Sequence, residues 1–279
     1  MIFRPQPIRT RPQRRARHEG AALLTVLLVL ALASIAAVAI TTRDQQQTYR
    51  ATILQEAERA RALQSGAEAV TLHLLERMPG YDDLPWEGCT SPRIPLQVEG
   101  VTVSARLENL HCRFNINALG RPEDPPVAAF AELLDRAALD AGLSGVRGNT
   151  LALAVQDWMD PETDNPVYLG MDPPRRSGNR PLLTASELLS IEGFDRELWE
   201  AIAPWVVALP TRDNAINLDL APDPVLRAVQ QSAVEETRDT RYFRLQVVAR
   251  MGQREYFQCA ILDAPNGRTV LREASACEP

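Results

Sequence analysis

Residues 21–40 constrain this chain more than any other stretch. They run Ala-Ala-Leu-Leu-Thr-Val-Leu-Leu-Val-Leu-Ala-Leu-Ala-Ser-Ile-Ala-Ala-Val-Ala-Ile, without a charge, a proline or a glycine. Twenty helical residues rising about 1.5 Å each reach about 30 Å, the thickness of a bilayer's hydrocarbon core, so the stretch can cross a membrane as a helix. Ahead of it Arg4, Arg9, Arg11, Arg14, Arg15 and Arg17 stand against one acid, Glu19. The positive-inside rule then predicts a cytoplasmic N-terminus with the body of the chain on the far side. A cleaved secretory signal is the competing reading, because Ala37, Val38 and Ala39 pass for a signal-peptidase site. The apolar region of such a signal is ordinarily about 7–15 residues, shorter than this one.

Helical periodicity continues past the apolar run. Tyr49, Ile53, Ala57, Ala60, Leu63, Ala67, Val70 and Leu74 recur at steps of three and four, with no proline before Pro79. One helix over residues 21–78 is predicted, about 85 Å long, its first half in the membrane and its second half along a globular head. A loop rich in Pro, Gly and Asp follows. Strand signals then run over 96–110 and 112–117, helical ones over 127–141, 150–158, 184–189, 196–209 and 223–231, and strands return at 241–250, 255–262 and 269–272. The two strand groups need each other, because an isolated hairpin is marginal in water. The expected architecture is α+β: a long N-terminal helix packed on an antiparallel sheet, with a large α-helical domain inserted between strands. The expected divisions are 1–20, a basic leader; 21–40, the membrane span; 41–78, the rest of the helix; 79–123, strands and loops; 124–236, the inserted helical domain; and 237–279, the closing strands.

Composition narrows the function. Without the leader, 24 basic and 35 acidic residues remain, a formal charge of −11, and lysine is absent. An acidic chain is poorly suited to neutralising phosphates, so no nucleic-acid partner is expected. Cys89, Cys112, Cys259 and Cys277 all follow the apolar helix, on the side where an oxidising compartment favours disulfides. None forms a CxxC pair, and three histidines are few for a zinc site. Of the three pairings that four cysteines allow, Cys89 with Cys112 and Cys259 with Cys277 close the shortest loops at the least entropic cost. Free buried cysteines are the alternative.

A basic leader ending at Gly20, joined directly to a long apolar helix that continues as an amphipathic one, resembles the class III signal of type IV pilins and pseudopilins. The resemblance implies cleavage by a prepilin peptidase between Gly20 and Ala21 and N-methylation of Ala21. Most members carry Glu at the fifth mature position, where this chain has Thr25. That departure is similar to the K-type minor pseudopilin of type II secretion systems, the general secretion pathway protein K family. A carboxylate buried among helices needs a cationic partner, which in pilins is taken to be a neighbouring subunit's terminal amine. A subunit with no neighbour above it has none, so Thr25 marks a tip position. The ordered phrases 113–119 (Arg-Phe-Asn-Ile-Asn-Ala-Leu), 157–160 (Asp-Trp-Met-Asp), 168–174, 183–189 and 214–222 match the same family. What it implies is a structural subunit that initiates or caps the periplasmic pseudopilus. Its partners would be I- and J-type minor pseudopilins, the major pseudopilin, the prepilin peptidase and the inner-membrane secretion platform. The location would be the cell inner membrane, single-pass, with the C-terminal domain in the periplasm.

Two local constellations carry further expectations. Asp157, Asp160, Glu162, Asp164 and Asp172, with Asn165, lie in a loop folded by prolines that could gather oxygens around calcium. Family members are described as binding calcium in the globular domain, which the resemblance extends to this loop. The spacing is not that of an EF-hand, and capping of helix ends and turns is the competing role. Residues 188–202 and 216–219 resemble helix-hairpin-helix units, whose glycine hairpins aim amides at phosphate. They would support an alternative, a membrane-tethered periplasmic DNA-binding module, although Glu192, Asp195 and Glu197 surround the hairpin. Structural packing of short helices is the stronger reading of this motif. No His or Lys accompanies the acidic loop to make a hydrolase, so no catalytic residues and no enzyme activity are expected. Small residues at 21, 22, 31, 33, 34, 36, 37 and 39 would let membrane helices pack closely.

Overall fold

A computed structural model describes residues 18–78, 84–162, 166–230, 235–237 and 240–278; the side chains of 18–22 and 235–236 and the expectations for the leader fall outside it. The chain divides into two compact units, one ending at Glu58 and one beginning at Arg59. Helix α1 (His18–Arg77) contributes to both. In the first unit its residues 23–52 are exposed without interruption.

The second unit is built on a five-stranded antiparallel sheet. After α1 come β1 (Ile94–Val98) and β2 (Val101–Asn109), joined by a two-residue turn in which Glu99 and Gly100 both have positive φ, 49° and 80°. That primed geometry matches the twist of the flanking strands, and Arg59 Nη2 of α1 donates to the Glu99 carbonyl at 3.0 Å. The chain then leaves the sheet through β3 (Phe114–Asn115), α2 (Val127–Asp140), α3 (Gly148–Met159), α4 (Arg196–Ile202), β4 (Val206–Val207), β5 (Ala215–Ile216), α5 (Asp223–Val229) and β6 (Glu235–Glu236). It returns as β7 (Tyr242–Met251), β8 (Arg254–Asp263) and β9 (Arg268–Glu273), giving the order β1-β2-β7-β8-β9. The helical part is thus inserted between β2 and β7, which pair directly from Thr102 against Arg250 to Asn109 against Phe243.

Strand alternation sends the two sheet faces to different layers. Val101, Val103, Phe243, Leu245, Val247, Ala260 and Leu262 pack with Ala60 and Leu75 of α1. On the other face Tyr242 and Ile261 meet Leu110, Val207 and Leu209 of the insert. The insert has its own core around Phe114, Phe130, Leu134, Val155, Leu188 and Ile202. Helices α2 and α3 approach so closely that a Cβ on Gly148 would lie 2.2 Å from the Ala131 carbonyl oxygen, and Gly148 N is capped by Asp135 Oδ1 at 2.7 Å.

Besides the turn at Glu99 and Gly100 that divides the expected strand stretch 96–110, three expected elements differ. Residues 196–209 are expected as one helix, but α4 ends at Ile202 and the chain tightens into a 3-10 turn over Ala203–Trp205, where Pro204 brings no N–H to continue the α-helical ladder. Val206 and Val207 then pair in parallel with Phe114 and Asn115. Residues 112–117 form only that two-residue strand, since the Asn115 side chain caps a following 3-10 turn. Residues 184–189 form a 3-10 turn, Ala185–Ser190, opened by a capping box between Thr184 and Glu187.

Glu68, 3 % exposed, ties α1 to the far edge of the sheet. Its carboxylate accepts from Gln258 Nε2 at 2.6 Å, from Arg272 Nε at 2.8 Å and from Thr269 Oγ1. Burial raises its pKa, but the hydrogen bonds from Arg272, Thr269 and Gln258 outweigh it and hold the group below its ordinary value. A carboxyl whose folded pKa is depressed contributes stability that is complete above the unfolded value, about 4.3, and is lost as pH falls through the folded value. Glu68→Gln is therefore expected to cost about 2 kcal/mol at pH 7. It should also flatten the loss of thermal stability of the full chain in micelles between about pH 5 and pH 3. A variant whose profile runs parallel to the parent would remove Glu68 from the account of acid lability.

Candidate assembly surfaces

The part of α1 in the first unit carries an 18-residue window of mean hydropathy 2.9, none of it buried. Leu23, Leu24, Val26, Leu27, Leu28, Val29, Leu30, Leu32, Ile35, Val38 and Ile40 each leave more than half of their surface exposed. The polar side chains along it turn inward on their own helix: Ser34 Oγ donates to Leu30 O at 2.8 Å, Thr41 Oγ1 to Ala37 O at 2.9 Å and Thr42 Oγ1 to Val38 O at 2.8 Å. Hydroxyls satisfied this way need no water, so the segment meets the condition for entering a bilayer. After Thr25 the first charged residue is Arg43.

A second apolar surface lies on the second unit. Positions 59, 63, 66, 70 and 74 step by four and three and so share one stripe of α1. Arg59 holds the β1–β2 turn, with Glu99 Oε2 at 3.1 Å from its Nη2, which places this stripe on the β1 side. Val70 is 60 % exposed and Leu74 54 %. On β1, Ile94 and Leu96 are opposite Ala105 and Val103, whose side of the sheet faces α1, yet they are 65 % and 59 % exposed. Pro95 at this edge removes a donor that another strand would use, so the edge favours side-chain packing over strand addition. Periodicity alone, without a sheet to show which stripe was left uncovered, does not reveal this surface.

The acidic loop is dispersed. Asp160 caps the end of α3 and its Oδ1 accepts from Glu162 N at 2.9 Å, while Glu162 and Asp172 are exposed. Asp164 lies outside the described residues, and among those described no group of three or more His, Cys, Asp or Glu could hold a metal ion. Asp157 is placed near Tyr168, whose hydroxyl burial pushes upward in pKa. No role for calcium is derived from these positions.

The helix-hairpin-helix resemblance is structural. Gly193, at φ +88°, sits where a Cβ would come within 2.5 Å of Leu151 Cδ2. Phe194 N is spent on Ile191 O at 3.3 Å, and Asp195 Oδ1 accepts from Leu198 N at 2.8 Å to cap α4. With the hairpin packed on the core and ringed by acids, the DNA-binding reading has no support. The asparagines of the other phrases are clamps. Asn115 Nδ2 donates to Thr211 O and Asp213 O at 2.8 Å each. Asn117 Nδ2 donates to Leu182 O and Leu209 O, and its Oδ1 accepts from Leu182 N at 2.8 Å. Asn217 Oδ1 accepts from Asp219 N at 3.1 Å and Leu220 N at 3.2 Å. Cys89 is bonded to Cys112 and Cys259 to Cys277, with Cα atoms 6.0 and 4.9 Å apart.

Comparison with known proteins agrees with this layout. The protein-family model described as "Type II secretion system (T2SS), protein K" matches residues 112–211. The type II secretion system protein K of Pectobacterium carotovorum subsp. carotovorum is 29 % identical over 238 residues, 77 % of this chain and 71 % of that protein. That of Klebsiella pneumoniae is 29 % identical over 222 residues, 74 % of this chain and 68 % of that protein. A solved structure, the GspK-GspI-GspJ complex from the enterotoxigenic Escherichia coli type 2 secretion system, includes a chain with the same fold at a TM-score of 0.68 and 18 % identity. The match covers 82 % of this chain and all of that one.

The matched segment contains Asn117, whose amide completes three buried hydrogen bonds. Asn117→Leu is expected to cost about 3 kcal/mol, because the Leu182 and Leu209 backbone groups would be left unpaired. Denaturant unfolding of the full chain checks this; a cost under about 1 kcal/mol would mean that the clamp is dispensable.

Proposed function

We infer from its similarity to type II secretion system protein K that this chain is a minor pseudopilin, a structural subunit that works by assembly rather than catalysis. The observation that carries the reading is an exposed apolar helix that goes on, within the same α1, to cover one face of an antiparallel sheet carrying a helical insert between β2 and β7. Relatives named as protein K share most of this chain, and a chain of the GspK-GspI-GspJ complex shares its fold.

In the proposed mechanism the arginine-rich leader keeps the N-terminus in the cytoplasm, prepilin peptidase cuts after Gly20, and the Ala21 amine is methylated. The span near residues 21–40 then holds the chain in the inner membrane, with everything from about Thr41 in the periplasm. I- and J-type minor pseudopilins pack against α1, with the stripe through Val70 and Leu74 and the neighbouring Ile94 and Leu96 as the apolar contact. The resulting cluster initiates or caps the pseudopilus, with this subunit at the tip position that Thr25 fits.

Two experiments bear on this. Gly20→Ala, expressed with a prepilin peptidase, is expected to leave only precursor on a gel, and mature-length protein in that variant would overturn the processing step. Val70→Glu with Leu74→Glu changes exposed side chains only, so the melting temperature should hold while co-purification with I- and J-type partners falls at least roughly tenfold. Undiminished co-purification would place the contact elsewhere.

A further inference from the structure

The sheet face turned away from α1 carries a charged cluster that spans the seam with the helical insert. Glu108 on β2 is at its centre. Arg113 Nε donates to Glu108 Oε1 at 2.6 Å, and Arg113 Nη1 donates to the Ala203 carbonyl, just past α4, at 3.0 Å. Arg244 on β7 donates through Nη1 to Glu108 Oε2 at 3.3 Å. The same nitrogen makes a shorter bond, 2.7 Å, to the backbone carbonyl of Glu278, the last described residue of the chain. Arg244 and Glu108 are only 10 % and 14 % exposed at their side chains, so each charge depends chiefly on these partners.

The tail reaches that position because Cys277 is bonded to Cys259 on β8. From Glu273, opposite Cys259, the chain turns back and lays Glu278 over β7. Residues 274–276 are exposed, so the tail is fastened at its end and not along its length. Glu278 also lines a small cavity at the seam, shared with Leu183 and Val207 of the insert and with Arg244, Ile261 and Leu271 of the sheet.

We propose that the disulfide-tethered C-terminal tail is a latch that fixes the helical insert on the sheet. Cys259–Cys277 confines the tail, the Glu278 carbonyl completes the pairing of Arg244, and Arg244 with Glu108 holds Arg113 in place to grip the insert at Ala203. Unlatching removes a charge-assisted hydrogen bond from a mostly buried cluster and loosens the seam, while the packing of α2 against α3 is left in place.

Hydrogen exchange of the full chain in micelles, read by mass spectrometry, tests this with two variants. One is the double substitution Cys259→Ser/Cys277→Ser; the other ends at Cys277, lacking residues 278–279 but keeping the disulfide. In both, exchange over 203–211 and 240–246 is expected to rise roughly ten- to hundred-fold, while α2 and α3 keep the parent's protection. Parental protection of the seam in either variant overturns the proposal. Should the double substitution open α2 and α3 as well, the truncation decides: a loosened seam with intact α2 and α3 upholds the latch, and an unchanged seam overturns it.

Discussion

A carboxylate placed between a helix and a sheet must find its counter-charge there or remain unpaired in a medium that punishes charge. Glu68 meets that demand with donors from two strands, Gln258 on β8 and Thr269 and Arg272 on β9. Much of the second unit depends on the arrangement. Because Glu68 needs the last strand, α1 is fixed in rotation against the sheet, and Ala60 and Leu75 are turned into the core. The same rotation leaves the stripe through Val70 and Leu74 facing outward. One ionic bond thereby decides both what the helix covers and what it offers.

The opposite face follows the same logic with different chemistry. The insert departs after β2 and returns to β7, so its entry and exit strands are already neighbours, and little chain is spent on closing the sheet around it. What has to be solved is the backbone at the crossings, where short strands such as β3 and β4 leave many groups without ladder partners. Asparagine, which carries both donors and an acceptor, supplies them: Asn115 and Asn117 hold the segments 209–213 and 182, and Asn109 Nδ2 reaches Thr240 Oγ1 at 2.7 Å just before β7. Asp263, fully buried at the end of β8, does the same with charge, accepting from Arg241, Arg268 and Asn266.

Local pattern carried the architecture and lost the joints. The uncharged run to Ile40 and the three-and-four spacing after it are enough to predict α1, and alternation on either side of Gly252 is enough for β7 and β8. Residues 96–110 read as one stretch of strand because Glu99 is a poor advertisement for a primed turn, although Gly100 beside it is a good one. Residues 112–117 read as strand because an asparagine bonding 90 or more positions away looks the same as one in solvent. Glu68 was invisible for the same reason: in a helical repeat it is one polar position among several, and its partners lie 190 to 204 residues further on. The exposed pair Ile94 and Leu96 alternates like any half-buried strand, and only the position of α1 shows that their side is uncovered.

The distribution of charge gives the same reasoning a wider application. Glu68 and Asp263, which are buried, and Glu108, which is mostly so, each have an arginine of this same chain within hydrogen-bond reach. The apolar part of α1 has no arginine to offer until Arg43, and no carboxylate from Ala21 until Asp44. A carboxylate at position 25 would have had to borrow its counter-charge from another molecule. Thr25 avoids that debt. A helix with no unmet charge can lie among other helices through van der Waals packing and small residues alone, which sets no requirement on what stands above it. Electrostatic self-sufficiency in the head and neutrality in the span are therefore two expressions of one constraint.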